Sequence, residues 1–284
     1  MGVNYGPTYG SHPNLPDGFN LAPPRNLNVN FNYVWDEANQ YWTPEKGSSL
    51  NYQSIVGQAK DHIHKFGSNP DVSNTVSATA PETVWDGSTD YTFPPDAGTG
   101  IQIKSSQATD SQEFVVQGLD ENFNNQSWTG NLNGTSDVNI DGTWSRVFRS
   151  FNNGTSGIAG TVDIHASGDA STVYAKVLAG NDQTLMAVYT VPATCTGYLL
   201  GYHMSAHNPG SASEIGYTTQ IKTREYGKTF RVQEVTSVTT SSLAQNSYPF
   251  PLQMAPKTDI LINITSANGN NGAVDADFDV ALLY

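Results

Sequence analysis

Residues 66–94, FGSNPDVSNTVSATAPETVWDGSTDYTFP, mark the point where the chain changes character. The segment joins an Asn-Pro-Asp turn signal to a spacer of small polar residues and then to a Trp-Asp-Gly corner, and these residue types favour turns. From Gly100 almost to the last residue, apolar and polar side chains alternate with a period close to two, which is typical of half-buried β-strands. The segment therefore predicts the start of a protein built from antiparallel strands.

A series of short runs rich in β-branched and aromatic residues supports this prediction. Asn-Gly and Asp-Gly pairs, which favour tight hairpin turns, occur at 141–142 and 153–154, among other places. Because no strand–helix alternation is present, the predicted fold class is mainly β: an antiparallel, jelly-roll-like β-sandwich with an extended N-terminal arm. The predicted strands are 101–104, 113–117, 144–151, 161–165, 172–177, 184–191, 198–204, 215–223, 230–235, 259–264 and 277–282.

Residues 1–54 are predicted to form the arm. Their prolines interrupt regular elements, yet the segment is rich in aromatic residues, which disordered linkers usually lack. Such an arm suits docking along another surface with its rings as buried anchors, although wrapping around its own domain explains the composition equally well. The proposed partner-binding residues are Tyr5, Tyr9, Phe19, Phe31, Tyr33, Trp35, Tyr41 and Trp42.

Residues 55–284 are predicted to form the β-sandwich. A glycine-rich run at 152–160 leaves two interpretations open, a boundary between two subdomains near residue 160 or a long loop within one domain. Cys195 is the one cysteine, so an intrachain disulfide is excluded and synthesis in a reducing cytoplasm is expected. We expect this thiol to be buried and structural.

Charge and hydropathy limit the partners. The formal net charge is −13, from 26 acidic and 13 basic residues, which disfavours binding to a phosphate backbone. No apolar run approaches the roughly 20 residues that a membrane-spanning helix needs. The start of the chain, MGVNYG, lacks the basic and apolar regions of a signal peptide. Neither nucleic acid nor a membrane is expected as a partner.

Two groups of residues are candidates for a metal site. Asp275, Asp277 and Asp279 fall on one face of the last predicted strand, and their carboxylates suit Ca²⁺; a solvent-facing acidic stripe explains the same pattern. His62 and His64 also share a strand face, but zinc needs a third and usually a fourth ligand. The other candidate ligands, His165, His203 and His207, are distant in the sequence. No metal or cofactor is predicted.

Glycoside hydrolysis is the main catalytic alternative, since it needs two carboxylates held about 5–9.5 Å apart. Carboxylates are never scarce in an acidic chain, and no nucleophile-elbow motif supports a serine triad. We therefore predict no catalytic residue and no enzyme activity. Trp85 and Trp144 are expected in the core, whereas Trp128 lies in a polar run and is the candidate for an exposed, sugar-stacking ring. The carboxylates considered are Glu82, Asp86, Asp90, Glu113 and Asp120.

A series of motifs resembles virion structural proteins of tailed bacteriophages, many of them marine or cyanobacterial. In chain order they are FGSNPD (66–71), ETVWDG (82–87), YTFP (91–94), VQGLD (116–120), LNGT (132–135), RVFR (146–149) and GNDQTLMAVYTVP (180–192). The arm and the part after about residue 200 lie outside these motifs.

The resemblance implies a non-enzymatic head decoration (cement) protein with a jelly-roll sandwich. Such a protein would be made in the bacterial cytoplasm, would bind the major capsid protein lattice on the capsid exterior, and would form a homotrimer. A neck, tail or fibre connector and a receptor-binding or glycan-binding tail protein are the alternatives.

Overall fold

A computed structural model describes residues 61–208, 214–269 and 272–284, together with the backbone of two short strands at 33–36 and 41–44. This described part contains β-strands paired in antiparallel sheets and no helix, which confirms the predicted fold class. Among the described residues there is accordingly no helix that could cross a membrane. The chain divides into two compact units, Met1–Ser49 and Leu50–Tyr284.

The described part of the first unit is a two-stranded antiparallel ribbon. It consists of β1 (Tyr33–Asp36) and β2 (Tyr41–Pro44), in which Trp35 is the register partner of Trp42. Part of the predicted extended arm is thus a hairpin. The other arm residues proposed to bind a partner, Tyr5, Tyr9, Phe19 and Phe31, lie outside the described residues.

The second unit contains the remaining strands. Each run predicted from the sequence overlaps one of them, because alternation with a period of two accompanies a sheet with one buried face. The strands are β3 (Asp61–Val72), β4 (Glu82–Thr83), β5 (Thr99–Ser105), β6 (Glu113–Asp120), β7 (Asn125–Asn131), β8 (Val138–Asn152), β9 (Val162–Ala166), β10 (Asp169–Val177), β11 (Val188–Thr190), β12 (Thr196–His207), β13 (Gly216–Arg224), β14 (Arg231–Thr239), β15 (Leu243–Met254), β16 (Asp259–Ala267) and β17 (Gly272–Leu283).

Two of the sheets form a β-sandwich. One has the order β15-β12-β17-β3; the other has the order β11-β16-β13-β14, with β4 also paired to β16. If β4 and β11 are counted together as the second of eight strands, the sheets read 1-8-3-6 and 2-7-4-5 in chain order. This is the strand order of a jelly roll built from two Greek keys.

The second jelly-roll strand is interrupted by a long insertion. Thr83 pairs with Asn263 and Val188 pairs with Leu261, so β4 and β11 follow one another along β16. Between them the backbone of Ile262 accepts a hydrogen bond from Val84 and donates one to Ala187. The chain leaves the strand at 85 and returns at 186, where Trp85 and Met186 form an isolated bridge.

The inserted residues form a six-stranded antiparallel sheet, here called the inserted module (residues 85–186). Its order is β10-β9-β5-β8-β6-β7. Residue 160 lies between β8 and β9, and both strands pair with β5. The run at 152–160 is therefore a loop within one sheet, and the two β modules are nested in the sequence.

The hydrophobic core has two layers. One cluster fills the space between the two jelly-roll sheets and contains Ile260, Ile262 and Ile264 of β16. The other lies between the inserted module and the outer face of the five-stranded sheet, and it contains Leu261. Because β16 is buried on both faces, apolar residues occupy consecutive positions at 260–262 and the strand lacks strict alternation.

Two local predictions have different outcomes. The Asn-Pro-Asp stretch at 69–71 does not end a strand: it lies within the edge strand β3, where the register with β17 shifts, and an edge or bulge tolerates proline. The Trp-Asp-Gly corner is confirmed as a turn, closed by a 3.1 Å hydrogen bond from Ser88 N to Trp85 O. Gly87 is required there, since a Cβ would lie 2.1 Å from the Trp85 ring.

Cys195 is buried in the jelly-roll core, as predicted.

Candidate functional site

The outer face of the four-stranded sheet brings together histidines and aspartates from three neighbouring strands. We call it the His–Asp face. Its residues are Asp275, Asp277 and Asp279 on β17, His62 and His64 on β3, and His203 and His207 on β12. The aspartates alternate with Ala276, Phe278 and Val280, which point into the core, so the predicted stripe does lie on one face.

At one end of this face, Asp279 is paired with two imidazoles of β3. His64 is its register partner, and His64 Nδ1 lies 3.0 Å from Asp279 Oδ1. His62 Nε2 lies 3.2 Å from the same oxygen. The pairing places two imidazole nitrogens and one carboxylate oxygen within hydrogen-bonding distance.

The other two aspartates are paired with β12. His203 Nδ1 lies 2.8 Å from Asp277 Oδ1, and His207 Nδ1 lies 3.2 Å from Asp275 Oδ2. The carboxylate side chains are 21–27% exposed and the histidine side chains 42–56% exposed. The stripe therefore reaches solvent, but each of its carboxylates has an imidazole partner.

The sequence analysis paired His62 with His64 and described His203 and His207 as distant from them, and the fold brings both groups to one face. β12 and β3 flank β17 on opposite sides, so residues distant in the sequence become register neighbours. The four-residue spacing of His203 and His207, which places both on one face of a strand, was the available signal. His165 lies elsewhere, buried in the inserted module with its Nε2 3.2 Å from Asp137.

A second surface feature lies where the edge strands β14 and β15 meet. At 248–251, the sequence Tyr-Pro-Phe-Pro forms an irregularity in the pairing of β15 with β12. Phe250 at its centre is 91% exposed. The prolines on both sides fix their own φ angles, which limits the conformations available to this segment. Three further exposed apolar residues, Val232, Val235 and Leu243, lie on the same two strands. We call these four residues the β14–β15 edge.

Glu234 holds the two edge strands together from the inside. Its carboxylate accepts hydrogen bonds from Tyr202 Oη, from Tyr248 Oη at 2.8 Å and from Asn246 Nδ2 at 3.1 Å. Burial raises the pKa of Glu234, but these donors outweigh that effect and the net pKa is lowered. A charged, fully bonded carboxylate thus fixes β14 of one sheet against β12 and β15 of the other.

A cleft of about 800 Å³ lies between β3 and the inserted module. Asp61 is the one carboxylate among the described residues that line it. Lys65 also lines it and donates a hydrogen bond to Phe148 O; burial and then the charge of Arg149 lower the pKa of Lys65 to about 7. The cleft does not supply the two carboxylates that glycoside hydrolysis uses.

The carboxylates considered for hydrolysis have local hydrogen-bond partners. Glu82 accepts a hydrogen bond from Asn69 Nδ2 at 2.9 Å, and Asp120 accepts one from the backbone N–H of Asn124 at 2.8 Å. Glu113 accepts one from Asn153 Nδ2, and Asp90 accepts one from Thr83 Oγ1 at 3.3 Å. These contacts order loops and strand ends.

Asp86 differs because it is buried at the base of the inserted module. Its Oδ2 accepts a 2.7 Å hydrogen bond from Leu185 N, while Oδ1 is buried without a partner. Burial raises the pKa of Asp86 to about 7, against the opposing effects of the Leu185 hydrogen bond and the charge of Lys176. Asp86 therefore connects the outgoing and returning chains and titrates near neutral pH.

A buried ionic cluster connects the inserted module to the jelly roll. Arg146 of β8 is 2% exposed and Asp259 of β16 is 1% exposed, and their side chains meet at 2.6 Å. Arg224 of β13 also donates to Asp259, at 2.8 Å, and Asp96 accepts from Arg146 at 2.7 Å. The Phe93 ring lies 5.1 Å from the Arg146 guanidinium and 5.0 Å from that of Arg224. The motif RVFR gave no sign that its first residue would be buried.

The tryptophan predictions are largely confirmed. Trp85 and Trp144 are 3% and 0% exposed and lie in the second core cluster. Trp128 of β7 is only half-buried, but it packs against the same cluster and its ring lies over Gly130. The Trp128 ring therefore contributes to the core and is also partly exposed to solvent.

Comparison with known proteins gives little. No protein-family model and no curated protein sequence match the chain. Among solved structures, the chain is similar to one in the structure of infectious bursal disease virus, Gt strain, with 14% identity over 78% of this chain and 71% of that chain. The TM-score is 0.20, which does not indicate a common fold, and no functional argument follows from it.

Proposed function

We propose that this chain is a non-enzymatic structural protein of a tailed-phage particle, and that it decorates the exterior of the head by binding the assembled lattice of the major capsid protein. The observation that supports this best is the β14–β15 edge, where Phe250 is 91% exposed between two prolines. The motif resemblance gives the class of partner.

The edge has the properties of a binding anchor. Aromatic residues dominate the energy of protein interfaces when they enter a pocket of the partner. A segment that is already restricted loses less conformational entropy on binding, and Pro249 and Pro251 provide that restriction. Glu234 holds the strands beneath it in place through Tyr248 and Asn246. The segment around Phe250 is therefore a preorganised and exposed apolar anchor.

The proposed mechanism is mass action. A subunit that binds the assembled lattice and not its free components stabilises the lattice by the free energy of those contacts. A homotrimer, which is part of the proposal, would multiply weak contacts through effective concentration. The net charge of −13 favours solubility and keeps decorated particles apart.

The test is binding of the purified protein to capsids assembled without it. We expect Phe250→Ala to weaken binding at least tenfold, which corresponds to about 1.4 kcal/mol. Phe66→Ala is the matched control, because Phe66 is also an exposed phenylalanine, at 41%, on β3 at the opposite edge of the same sheet. Equal affinities for the two variants would overturn the role of the β14–β15 edge.

The arm is tested in the same assay. Deleting residues 1–49 removes the first compact unit, including Trp35 and Trp42 of the hairpin. If the arm supplies anchors, the truncated protein binds capsids more weakly but keeps its melting temperature. Unchanged affinity would show that the arm does not hold the lattice. The trimer is tested separately by measuring the mass of the native protein, and the mass of a monomer would refute it.

A further inference from the structure

We propose that His64, Asp277 and Asp279 bind one divalent cation of the zinc class on the outer face of the four-stranded sheet. This inference is independent of the decoration role. His64 supplies an imidazole nitrogen and the aspartates supply one carboxylate oxygen each, and these three atoms all lie within 4.8 Å of one another. The site joins the sequence-predicted aspartate stripe to the His62–His64 pair, which were separate candidates.

The strand register makes the site possible. His64 and Asp279 are register partners on adjacent strands, and Asp277 lies two residues along β17 on the same face. Two ligands bonded to tetrahedral zinc at about 2.0–2.1 Å lie roughly 3.3 Å apart. The His64 Nδ1 to Asp279 Oδ1 distance is already 3.0 Å. Closing the remaining separations needs side-chain rotation and no change in the backbone pairing.

The ligand chemistry selects the class of ion. One imidazole with two carboxylates suits zinc and neighbouring transition metals. Ca²⁺ takes six to eight oxygen ligands and Mg²⁺ keeps an octahedral shell of oxygens, so a nitrogen in a three-ligand set disfavours both. We therefore expect zinc to bind more tightly than calcium, which reverses the preference that the aspartates alone suggest.

Two further histidines flank the site. His62 Nε2 lies 3.2 Å from Asp279 Oδ1, and His203 Nδ1 lies 2.8 Å from Asp277 Oδ1. Imidazoles bonded to ligating carboxylates orient those carboxylates and tune the affinity for the metal. We assign His62 and His203 this positioning role.

Binding would connect the edge strand β3 to the central strand β17. A ligand that binds the folded chain and not the unfolded one raises the melting temperature, and above the dissociation constant the rise grows with the logarithm of the free ligand concentration. Zinc should therefore stabilise the edge of the sheet next to the cleft.

The experiment is calorimetric titration of the full chain, stripped of metal with a chelator, with ZnCl₂ and then with CaCl₂. We expect one equivalent of Zn²⁺ at this site and a loss of at least tenfold in affinity for His64→Gln and for Asp279→Asn. His62→Gln and His203→Gln should weaken binding less. The melting temperature should rise with Zn²⁺ in the parent protein and stay constant in His64→Gln.

The opposite end of the same face provides the matched control. His207 and Asp275 are paired at 3.2 Å but lie outside the three-ligand group, so His207→Gln and Asp275→Asn should leave zinc affinity unchanged. No zinc binding, tighter binding of calcium, or an equal loss in His207→Gln and His64→Gln would overturn the site. The ligand side chains reach solvent, and if Asp279→Asn proves unstable, His64→Gln decides the question.

Discussion

The two sheets of the jelly roll share one core but differ on their outer faces. The five-stranded sheet is covered by the inserted module, and its central strand β16 is buried on both sides. The four-stranded sheet carries the His–Asp face, and from Val274 to Val280 its central strand β17 alternates between core residues and aspartates. Burial of the second face accounts for the consecutive apolar residues at 260–262 of β16 and for the burial of Asp259.

The aspartates on the two outer faces therefore have different roles. On the covered face, Asp259 is surrounded by Arg146 and Arg224 and contributes to holding two modules together. On the open face, Asp277 and Asp279 have imidazole partners that reach solvent, so they can exchange those partners for an ion. The same residue type therefore serves two purposes on the outer faces of the two sheets.

The largest expected effect on stability comes from neutralising one aspartate on the covered face, compared with the same change on the open face. Asp259→Asn removes the buried counter-charge that Arg146 and Arg224 share, so that Arg146 keeps only the half-buried Asp96, and it should lower the free energy of unfolding by about 3–5 kcal/mol. Asp277→Asn makes the same chemical change on the open face and should cost less than about 0.5 kcal/mol. Urea unfolding of both variants measures the contrast, and similar losses would mean that the outer faces are equivalent.

The next effect concerns adjacent apolar residues of β16. Leu261 faces the inserted module and Ile262 faces the jelly-roll core, so replacing either by Ala should cost about 2–5 kcal/mol. On β17 the corresponding pair is asymmetric: Phe278→Ala should cost about 3–5 kcal/mol, whereas Asp279→Ala should be close to neutral. A neutral Leu261→Ala would show that the inserted module does not cover β16.

A smaller, pH-dependent effect comes from Asp86 at the base of the inserted module. Its pKa is raised to about 7, so between about pH 4 and 7 the folded state binds a proton that the unfolded state releases. Stability from this group is therefore present at low pH and lost as pH rises through 7. Asp86→Asn should flatten that dependence and stabilise the protein at pH 8, on the order of 2 kcal/mol.

Much of the fold could be predicted from periodicity, and the exceptions have physical causes. Strands that bury one face alternate visibly, and the sequence identified them. The long strands β7 and β15 were missed because each is a sheet edge with largely exposed, polar side chains, and β15 also contains two prolines. The nested insertion was not predictable, since it depends on β4 and β11 both pairing with a distant strand.

The site was predicted only in pieces for a related reason. The sequence identified the aspartate stripe and the His62–His64 pair because each depends on spacing within one strand. Their union with His203 depends on the register of β3, β17 and β12, which a single sequence does not contain. Arg146 and Asp259 are likewise complementary only after the two modules have packed.

The proposed role is tested most directly by counting copies of this chain in purified virus particles produced from the genome that encodes it, using quantitative mass spectrometry with the major capsid protein as internal standard. A decoration protein that occupies repeated lattice sites should be present in a fixed, high ratio to the capsid protein. A copy number matching a single neck or tail ring would favour the connector, and absence from the particle would refute a virion role altogether.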